Sequence, residues 1–214
     1  MLLAIDTATS HASIALHDGQ SVRGECTWEA ANRHTVTLVP HIAQTLQTSG
    51  VTVADLTAIA VCTGPGSYTG VRIGVAMAKG MAVAQQLPLV GITTLDIVAA
   101  GQPADARPMV TLFTAGRKRI GFARYRWQET GWQAETDVEI ATWDELAEKI
   151  TVPTLVTGEI SPQGQKVLCK VEHVTLVPPA QRLRRAGFLA DLAWTRIRAG
   201  QVDHAAILTP RYAR

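Results

Sequence analysis

The chain has 214 residues, of which 47% are hydrophobic and 18% are charged, and its formal net charge is +2. A chain of this length buries about 70% of its unfolded surface, so its core requires neither a disulfide nor a metal. The small net charge argues against a dedicated nucleic-acid binder, and the lack of any run of 18 apolar residues argues against a membrane span. Three widely spaced cysteines, and an amino terminus without the basic segment of a signal peptide, predict a cytoplasmic protein with reduced thiols.

The chain opens with a predicted antiparallel meander. Strands are expected at residues 2–5, 13–16 and 21–28, with an Asp-Gly turn between the second and the third. The first turn contains Asp6, Thr7, Thr9 and Ser10. An acid and small hydroxyls between two strands can hold phosphate oxygens and a hydrated Mg²⁺, and they also occur in ordinary polar turns. Both interpretations stay open.

A helix is predicted over residues 34–49, because apolar residues recur on one face and Gly50 can end it. His34 and His41 are seven residues apart with no acid between them. Two metal ligands on one helix need a spacing of three or four residues to reach the same ion. We therefore interpret these histidines as surface or interface residues.

The segment Ala60–Gly80, AVCTGPGSYTGVRIGVAMAKG, is the most distinctive stretch of the chain. An apolar strand at 57–63 ends at Gly-Pro-Gly, which breaks regular structure. A helix is expected over 70–85, with Ser67 or Thr69 accepting from its free first-turn N–H groups.

Two interpretations of this glycine-rich turn compete. A glycine turn that leads into a helix can bind an anion, but a phosphate loop has Lys-Ser/Thr after its last glycine, and Val71-Arg72 stands here instead. The four-residue spacing of Gly70, Gly74 and Ala78 aligns small side chains along the helix. This spacing favours close packing, within the chain or against a partner.

The second half of the chain repeats the order of the first. After a strand at 87–92, the Pro/Ala/Asp-rich segment 101–107 is interpreted as a boundary between lobes. Three antiparallel strands and then alternating helices and strands follow again, which predicts a duplicated α/β fold. We expect an N-terminal lobe over 1–104 and a C-terminal lobe over 105–214, with the last helix, 182–199, able to pack back on the first lobe.

Five arginines crowd this last predicted helix: Arg182, Arg184, Arg185, Arg196 and Arg198. They could form a solvated helix face or an RNA footprint. The modest net charge favours the solvated face.

Three segments resemble one protein family. They are IDTATSHASIAL (Ile5–Leu16), RHTVTLVPHI (Arg33–Ile42) and GPGSYTGVRIGVAMAKGMA (Gly64–Ala82), the last followed by PLVGITTL. The opening strand–Asp–hydroxyl turn–strand is similar to the actin/Hsp70/sugar-kinase superfamily, and the glycine motif resembles its TsaB (YeaZ) family. The match covers about the first 95 residues, and the closing PRYAR (Pro210–Arg214) resembles the family's terminal strand. The resemblance implies duplicated, ribonuclease H-like lobes, each a mixed sheet flanked by helices.

The resemblance also implies a non-catalytic subunit. It would form a heterodimer with the catalytic paralogue TsaD, recruit the ATPase TsaE, and support transfer of threonylcarbamoyl to adenosine 37 of tRNAs that read ANN codons. It would contact tRNA only through the complex, could homodimerise without its partner, and would meet ATP or ADP only at an interface of the complex. The residues that the resemblance assigns to the TsaD interface are His34, Leu38, Ile42, Gly70, Val71, Gly74 and Ala78. A Gly74→Leu variant is expected to lose the heterodimer and keep its fold.

Two departures from related proteins bear on chemistry. The paralogue's two metal-binding histidines fall on Thr94 and Val98, a weak ligand and a non-ligand, so no metal site is expected. Family members commonly carry Asp-Ala-Arg on the first strand of the second lobe. Here that stretch is Thr114-Ala-Gly116, followed by the basic run Arg117-Lys118-Arg119. The missing acid weakens the case for Mg-nucleotide binding by this chain.

Two other function classes are weighed against the scaffold hypothesis. A small-molecule kinase or ATPase of the superfamily would need a catalytic acid in the cleft and a glycine-rich adenosine motif in the second lobe. Only the segment 157–164, TGEISPQG, is a candidate for that motif. A metal-dependent peptidase is disfavoured by the replaced histidine pair.

Overall fold

The computed structural model describes residues 1–30 and 33–213, and its packing divides the chain into two compact units. The first unit contains Met1–Ile97 together with Arg185–Tyr212, and the second contains Val98–Arg184 together with Ala213. The first unit is thus assembled from two separate stretches of chain. The boundary proposed from the sequence, at residue 104, followed the Pro/Ala/Asp composition of the linker. The packing boundary lies instead inside a helix, at Ile97.

Five strands form the sheet of the first unit, in the order β3-β2-β1-β4-β5. They are β1 (Leu2–Asp6), β2 (His11–His17), β3 (Val22–Glu29), β4 (Ala58–Cys62) and β5 (Leu89–Ile92). The first three strands are an antiparallel meander, whereas β1, β4 and β5 are parallel. Every residue of β1 and β4 is buried, which is typical of central strands covered on both faces.

The second unit repeats this topology. Its strands are β6 (Met109–Gly116), β7 (Arg119–Gln128), β8 (Gly131–Ala134), β9 (Glu139–Ala141), β10 (Thr154–Gly158) and β11 (Val174–Leu176). The sheet order is β11-β10-β6-β7-β8, with β9 added beside β7. Because β6/β7 is antiparallel and β6/β10/β11 is parallel, each strand of the first sheet has a counterpart in the second. This topology confirms the predicted duplicated fold of two mixed sheets.

Seven α-helices join the strands in the described residues. They are α1 (His34–Thr48), α2 (Tyr68–Ala84), α3 (Thr94–Ala100), α4 (Trp143–Lys149), α5 (Pro162–Leu168), α6 (Pro179–Arg182) and α7 (Ala186–Arg198). The single helix predicted over 182–199 is therefore two helices, and Pro210–Ala213 form no strand, while Arg214 lies outside the described residues. None of the helices in the described part of the chain is both long enough and apolar enough to cross a bilayer.

Helices α1 and α7 cover opposite faces of the first sheet. Two consecutive residues of β3, Gly24 and Glu25, face these two helices, because successive positions of a strand point to opposite faces of the sheet. A Cβ on Gly24 would lie 2.5 Å from Ser49 Oγ, at the end of α1. The next residue, Glu25, accepts a hydrogen bond from the Gly187 N–H of α7 at 2.7 Å. The sheet is therefore buried between helices, and α7 belongs to the core of the first unit.

The arginines near α7 bind partners within the protein. Arg185 Nε donates to Glu25 Oε2 at 2.8 Å, and Arg196 pairs with Asp203 at 3.1 Å. Arg198 donates to the Gly19 carbonyl, Arg182 donates to the Val177 carbonyl, and Arg184 is buried. Their role is therefore largely internal, and this arginine-rich stretch is neither a freely solvated face nor an open RNA footprint.

An ion pair near the start of the second unit gives a pH-dependent prediction. Arg107 donates to both carboxylate oxygens of Asp105, at 3.0 and 2.7 Å, and this bonding lowers the pKa of Asp105 to about 2. Because the pKa is lower in the folded state, the pair stabilises the fold above pH 3.8, and its contribution is lost as the pH falls towards 2. We expect an NMR titration to show Arg107→Ala raising the pKa of Asp105 towards 3.8. Asp55, whose pKa is lowered by Thr52, is the internal control that should not change.

Candidate functional site

The β1–β2 turn is closed by its own hydrogen bonds. Asp6 Oδ1 accepts from the Ala8 N–H at 2.9 Å, and Thr7 Oγ1 donates to the Gly70 carbonyl at 2.7 Å. The Thr9 carbonyl accepts from His34 Nε2 at 2.8 Å. These contacts tie the turn to the first residues of α1 and α2.

This arrangement corrects the phosphate-site interpretation of the turn. The side chains of Asp6, Thr7 and Thr9 are at most 4% exposed, and only Ser10 of the four predicted residues is exposed. Buried side chains whose polar atoms already have protein partners do not line an open anion site. Within the described structure, the turn acts as a structural element of the first unit.

The glycines of the central motif make room for this turn. A Cβ on Gly66 would lie 2.0 Å from the Ala8 carbonyl oxygen, one on Gly70 2.2 Å from the Thr7 carbonyl oxygen, and one on Gly74 2.3 Å from Thr7 Oγ1. Real Cβ atoms essentially never approach other atoms so closely. Ser67 Oγ accepts from the Gly70 N–H at 3.2 Å and caps α2, as predicted. The glycine spacing therefore reflects close packing within the chain.

The seven residues assigned to the TsaD interface all lie in the interior of the first unit. They are His34, Leu38, Ile42, Gly70, Val71, Gly74 and Ala78, and each is buried. The apolar face of a helix that packs on a sheet points towards that sheet. The strongest apolar periodicity therefore marks core residues and not a partner surface. In the isolated chain these residues are therefore part of the core and not of an exposed surface. For the same reason, Gly74→Leu would clash with Thr7 and would not keep the fold.

The outward face of α2 is apolar as well. Ile73, Ala76, Met77, Gly80, Met81 and Ala84 line an open groove of about 560 Å³, together with Val53 and Gln85. On α1, Val36 is 62% exposed and Val39 is 52% exposed. We name these residues of α1 and α2 the outward helix faces. The helical spacing of residues 73, 77, 80 and 84 is the sequence signal for this outward face of α2. The aligned small residues Gly70, Gly74 and Ala78 form a stronger pattern, which marks the inward face.

Thr94 and Val98 are both buried. Thr94 Oγ1 donates to the Pro65 carbonyl at 2.6 Å and lies 3.2 Å from Cys62 Sγ. Its hydroxyl thus fixes the turn before α2, and Val98 has no donor atom. Among the residues that the structure describes, no three His, Cys, Asp or Glu side chains gather closely enough to share a metal ion.

In the second unit, an acid reaches Thr114 from a neighbouring strand. The Thr114 N–H donates to Glu159 Oε2 at 2.9 Å, so a carboxylate from the residue just after β10 lies beside the position for which the family resemblance implies Asp. Glu159 belongs to the segment TGEISPQG. In that segment Ser161 caps α5, and Gly164 packs against the Trp143 ring, which a Cβ would approach to 2.6 Å. Helix capping and packing therefore account for two of the residues that suggested an adenosine motif.

Comparisons with known proteins agree on one family. The family model of TsaD, tRNA N6-adenosine threonylcarbamoyltransferase, matches residues 20–211. The chain is 37% identical over 138 residues to the tRNA threonylcarbamoyladenosine biosynthesis protein TsaB of Escherichia coli K12, which covers 63% of this chain and 59% of that protein. It is 30% identical over 160 residues to TsaB of Bacillus subtilis, covering 73% and 70%. The match to the E. coli protein thus spans less than two thirds of that protein's length.

A solved structure supports the same relationship. YeaZ from Pseudomonas aeruginosa superimposes with a TM-score of 0.76 over 98% of this chain and 99% of that one, at 25% identity. The shared fold therefore extends over nearly the whole chain, including its second half, where the sequence motifs are weakest.

Proposed function

Because the chain belongs to the TsaB (YeaZ) family, we propose that it is a non-catalytic subunit of the machinery that makes N6-threonylcarbamoyladenosine in tRNA. Its fold is that of the actin/Hsp70/sugar-kinase superfamily. The named relatives are threonylcarbamoyladenosine biosynthesis proteins, and the proposal carries that role to this chain. The catalytic subunit would be the TsaD-type paralogue, and the ATPase TsaE would join the pair.

The apolar outward face of α2 is the observation that carries the proposal. An exposed apolar groove of about 560 Å³ on a regular helix is typical of a surface that another protein covers. The TsaD-type paralogue has a similar fold by descent, so its own counterpart helices can pack against α1 and α2. The same faces could pair two copies of this chain when the partner is absent. We place the complex in the cytoplasm, with any ATP or ADP bound at a subunit interface.

The non-catalytic role is supported by the side chains themselves. Thr94 and Val98 occupy the positions that correspond, by the family resemblance, to the paralogue's metal histidines, and they do not fit a metal ion. The Thr94 hydroxyl already donates to a backbone carbonyl, and a Val side chain cannot ligate. The buried β1–β2 turn likewise leaves Asp6 with no opening to solvent. This chain would therefore position its partner and take no part in bond making.

Reconstitution tests this proposal. The chain, the TsaD-type subunit and TsaE of the same organism are mixed with threonylcarbamoyl-AMP and a tRNA that reads ANN codons, and modified adenosine is measured after leaving out each protein in turn. We expect modification to require both this chain and the TsaD-type subunit. We also expect this chain to show no ATP turnover alone. Sustained ATP turnover by the isolated chain would favour the kinase or ATPase alternative.

A further inference from the structure

The hairpin between β6 and β7 ends in a two-residue turn. Gly116 pairs with Arg119, so Arg117 and Lys118 alone form the loop. Both have positive φ, 49° and 63°, which defines the type I′ turn favoured by right-twisted hairpins. We name residues 114–119, all of which are exposed, the hairpin tip.

The residue types at this turn are unusual. Left-handed backbone favours Gly, Asn and Asp, and type I′ turns are most often Asn-Gly. Here two long cationic side chains occupy both positions. The chain thus holds Arg and Lys where local conformation favours smaller residues, and they project from the end of a hairpin into solvent.

The charges at the tip have few partners within the protein. Neither the Arg117 nor the Lys118 side chain makes a hydrogen bond or ion pair to another described residue. Hydrogen bonds from Thr142 are the main cause of the lowered pKa of Glu145, and the charge of Arg119 lowers that pKa further. Glu159 Oε2 accepts a hydrogen bond from the Thr114 N–H. The arginines around α7 differ, since most of them bind carboxylates or carbonyls of the first unit. The tip therefore offers two unengaged cations.

We propose that the hairpin tip contacts the phosphate backbone of tRNA, an inference that rests on the proposed function for its choice of RNA. Three consecutive cations supply the sequence-independent attraction of a nucleic-acid backbone, and the Arg fork matches phosphate geometry. A protein partner fits less well, because the tip has no large apolar or aromatic side chain to act as the anchor of a protein interface. Contacts of this kind position RNA and do not read its sequence.

The double substitution Arg117→Asn with Lys118→Gly separates binding from folding. It removes two charges and installs the preferred turn sequence, so the melting temperature should stay equal or rise by about 2–4 °C. The affinity of the reconstituted complex for a tRNA transcript should fall about tenfold at 0.1 M salt. The slope of log K against log salt should become shallower by about 1.4–1.8, since each phosphate contact contributes about 0.7–0.9.

A charge-matched control is the pair Lys166→Gln with Lys170→Gln, which removes two exposed cations elsewhere in the second unit. This control should keep wild-type affinity and slope. Unchanged tRNA affinity and slope in the tip variant would overturn the inference, as would equal losses in tip variant and control. Loss of TsaD-type binding, with the tRNA affinity of the isolated chain unchanged, would also overturn it, by assigning the tip to a protein. If the wild-type complex fails to form, the proposed function fails, and the same tRNA titration on the isolated chain still tests the tip.

Discussion

Replacing Gly70 with alanine is expected to lower the free energy of unfolding by about 3 kcal/mol, the upper part of the range for overpacking a filled core. The added methyl would lie 2.2 Å from the Thr7 carbonyl oxygen. That oxygen belongs to the backbone of the β1–β2 turn. Two hydrogen bonds hold the turn against α2, because Thr7 Oγ1 donates to the Gly70 carbonyl and the Ser67 N–H donates to the Ala8 carbonyl. Urea denaturation of the isolated chain, followed by circular dichroism, measures the effect.

The matched control is Gly80→Ala in the same helix. A Cβ there meets nothing within 4 Å, so the substitution should stabilise the chain by about 0.5–1 kcal/mol through helix propensity alone. The two substitutions add the same methyl to one helix and are expected to have opposite signs. A Gly70→Ala variant as stable as wild type would show that the β1–β2 turn does not pack tightly against α2.

Replacing Met77 with glutamate is expected to weaken binding to the TsaD-type subunit at least 100-fold. Met77 lies on the outward face of α2 and lines the apolar groove. A partner that covers the groove would bury the new carboxylate without a counter-charge, which costs several kcal/mol in an interface core. Isothermal titration or size-exclusion chromatography with the purified partner measures the loss, and circular dichroism checks that the fold is kept, because Met77 is partly buried against the core of the first unit.

The control for this experiment is Val152→Glu, on the surface of the second unit, where the side chain is 52% exposed. It introduces the same charge at an apolar surface residue outside the outward helix faces and should leave partner binding intact. Equal binding by Met77→Glu and wild type would assign the interface to another surface. Loss of folding by Met77→Glu would mean that the contact of Met77 with the core does not tolerate a charge.

Much of the secondary structure could be predicted from the sequence, because strands and helices follow apolar periodicity and glycine stops. Helix α2, predicted over 70–85, is observed at Tyr68–Ala84 with the predicted cap. The last helix was misjudged, because the stretch Leu183–Arg185 is extended and separates α6 from α7. Periodicity alone carries no signal for a break whose backbone geometry is set by packing.

The site was harder to predict, because a residue type does not reveal which way its side chain points. Thr7, a hydroxyl in a turn, was one of the candidates for holding phosphate, yet its hydroxyl donates a hydrogen bond to the Gly70 carbonyl inside the fold. The missing side chain of Gly74 was expected to let a partner helix approach closely, yet the atom that lies against Gly74 is Thr7 Oγ1. In both cases the contact joins residues more than 60 positions apart, and only the tertiary structure brings them together.

The return of α7 to the first unit has a consequence for synthesis on the ribosome. The sheet of this unit is complete once β5 has emerged, but one of its faces stays bare until Ala186–Arg198 follows, about 100 residues later. At a translation rate of about 5–20 residues per second, the hydrophobic face of the sheet stays exposed in the nascent chain for roughly 5–20 s. Chains truncated by a premature stop codon before residue 186 lack α7, so this face of the sheet stays exposed. We expect chaperones to bind such chains and proteases to degrade them.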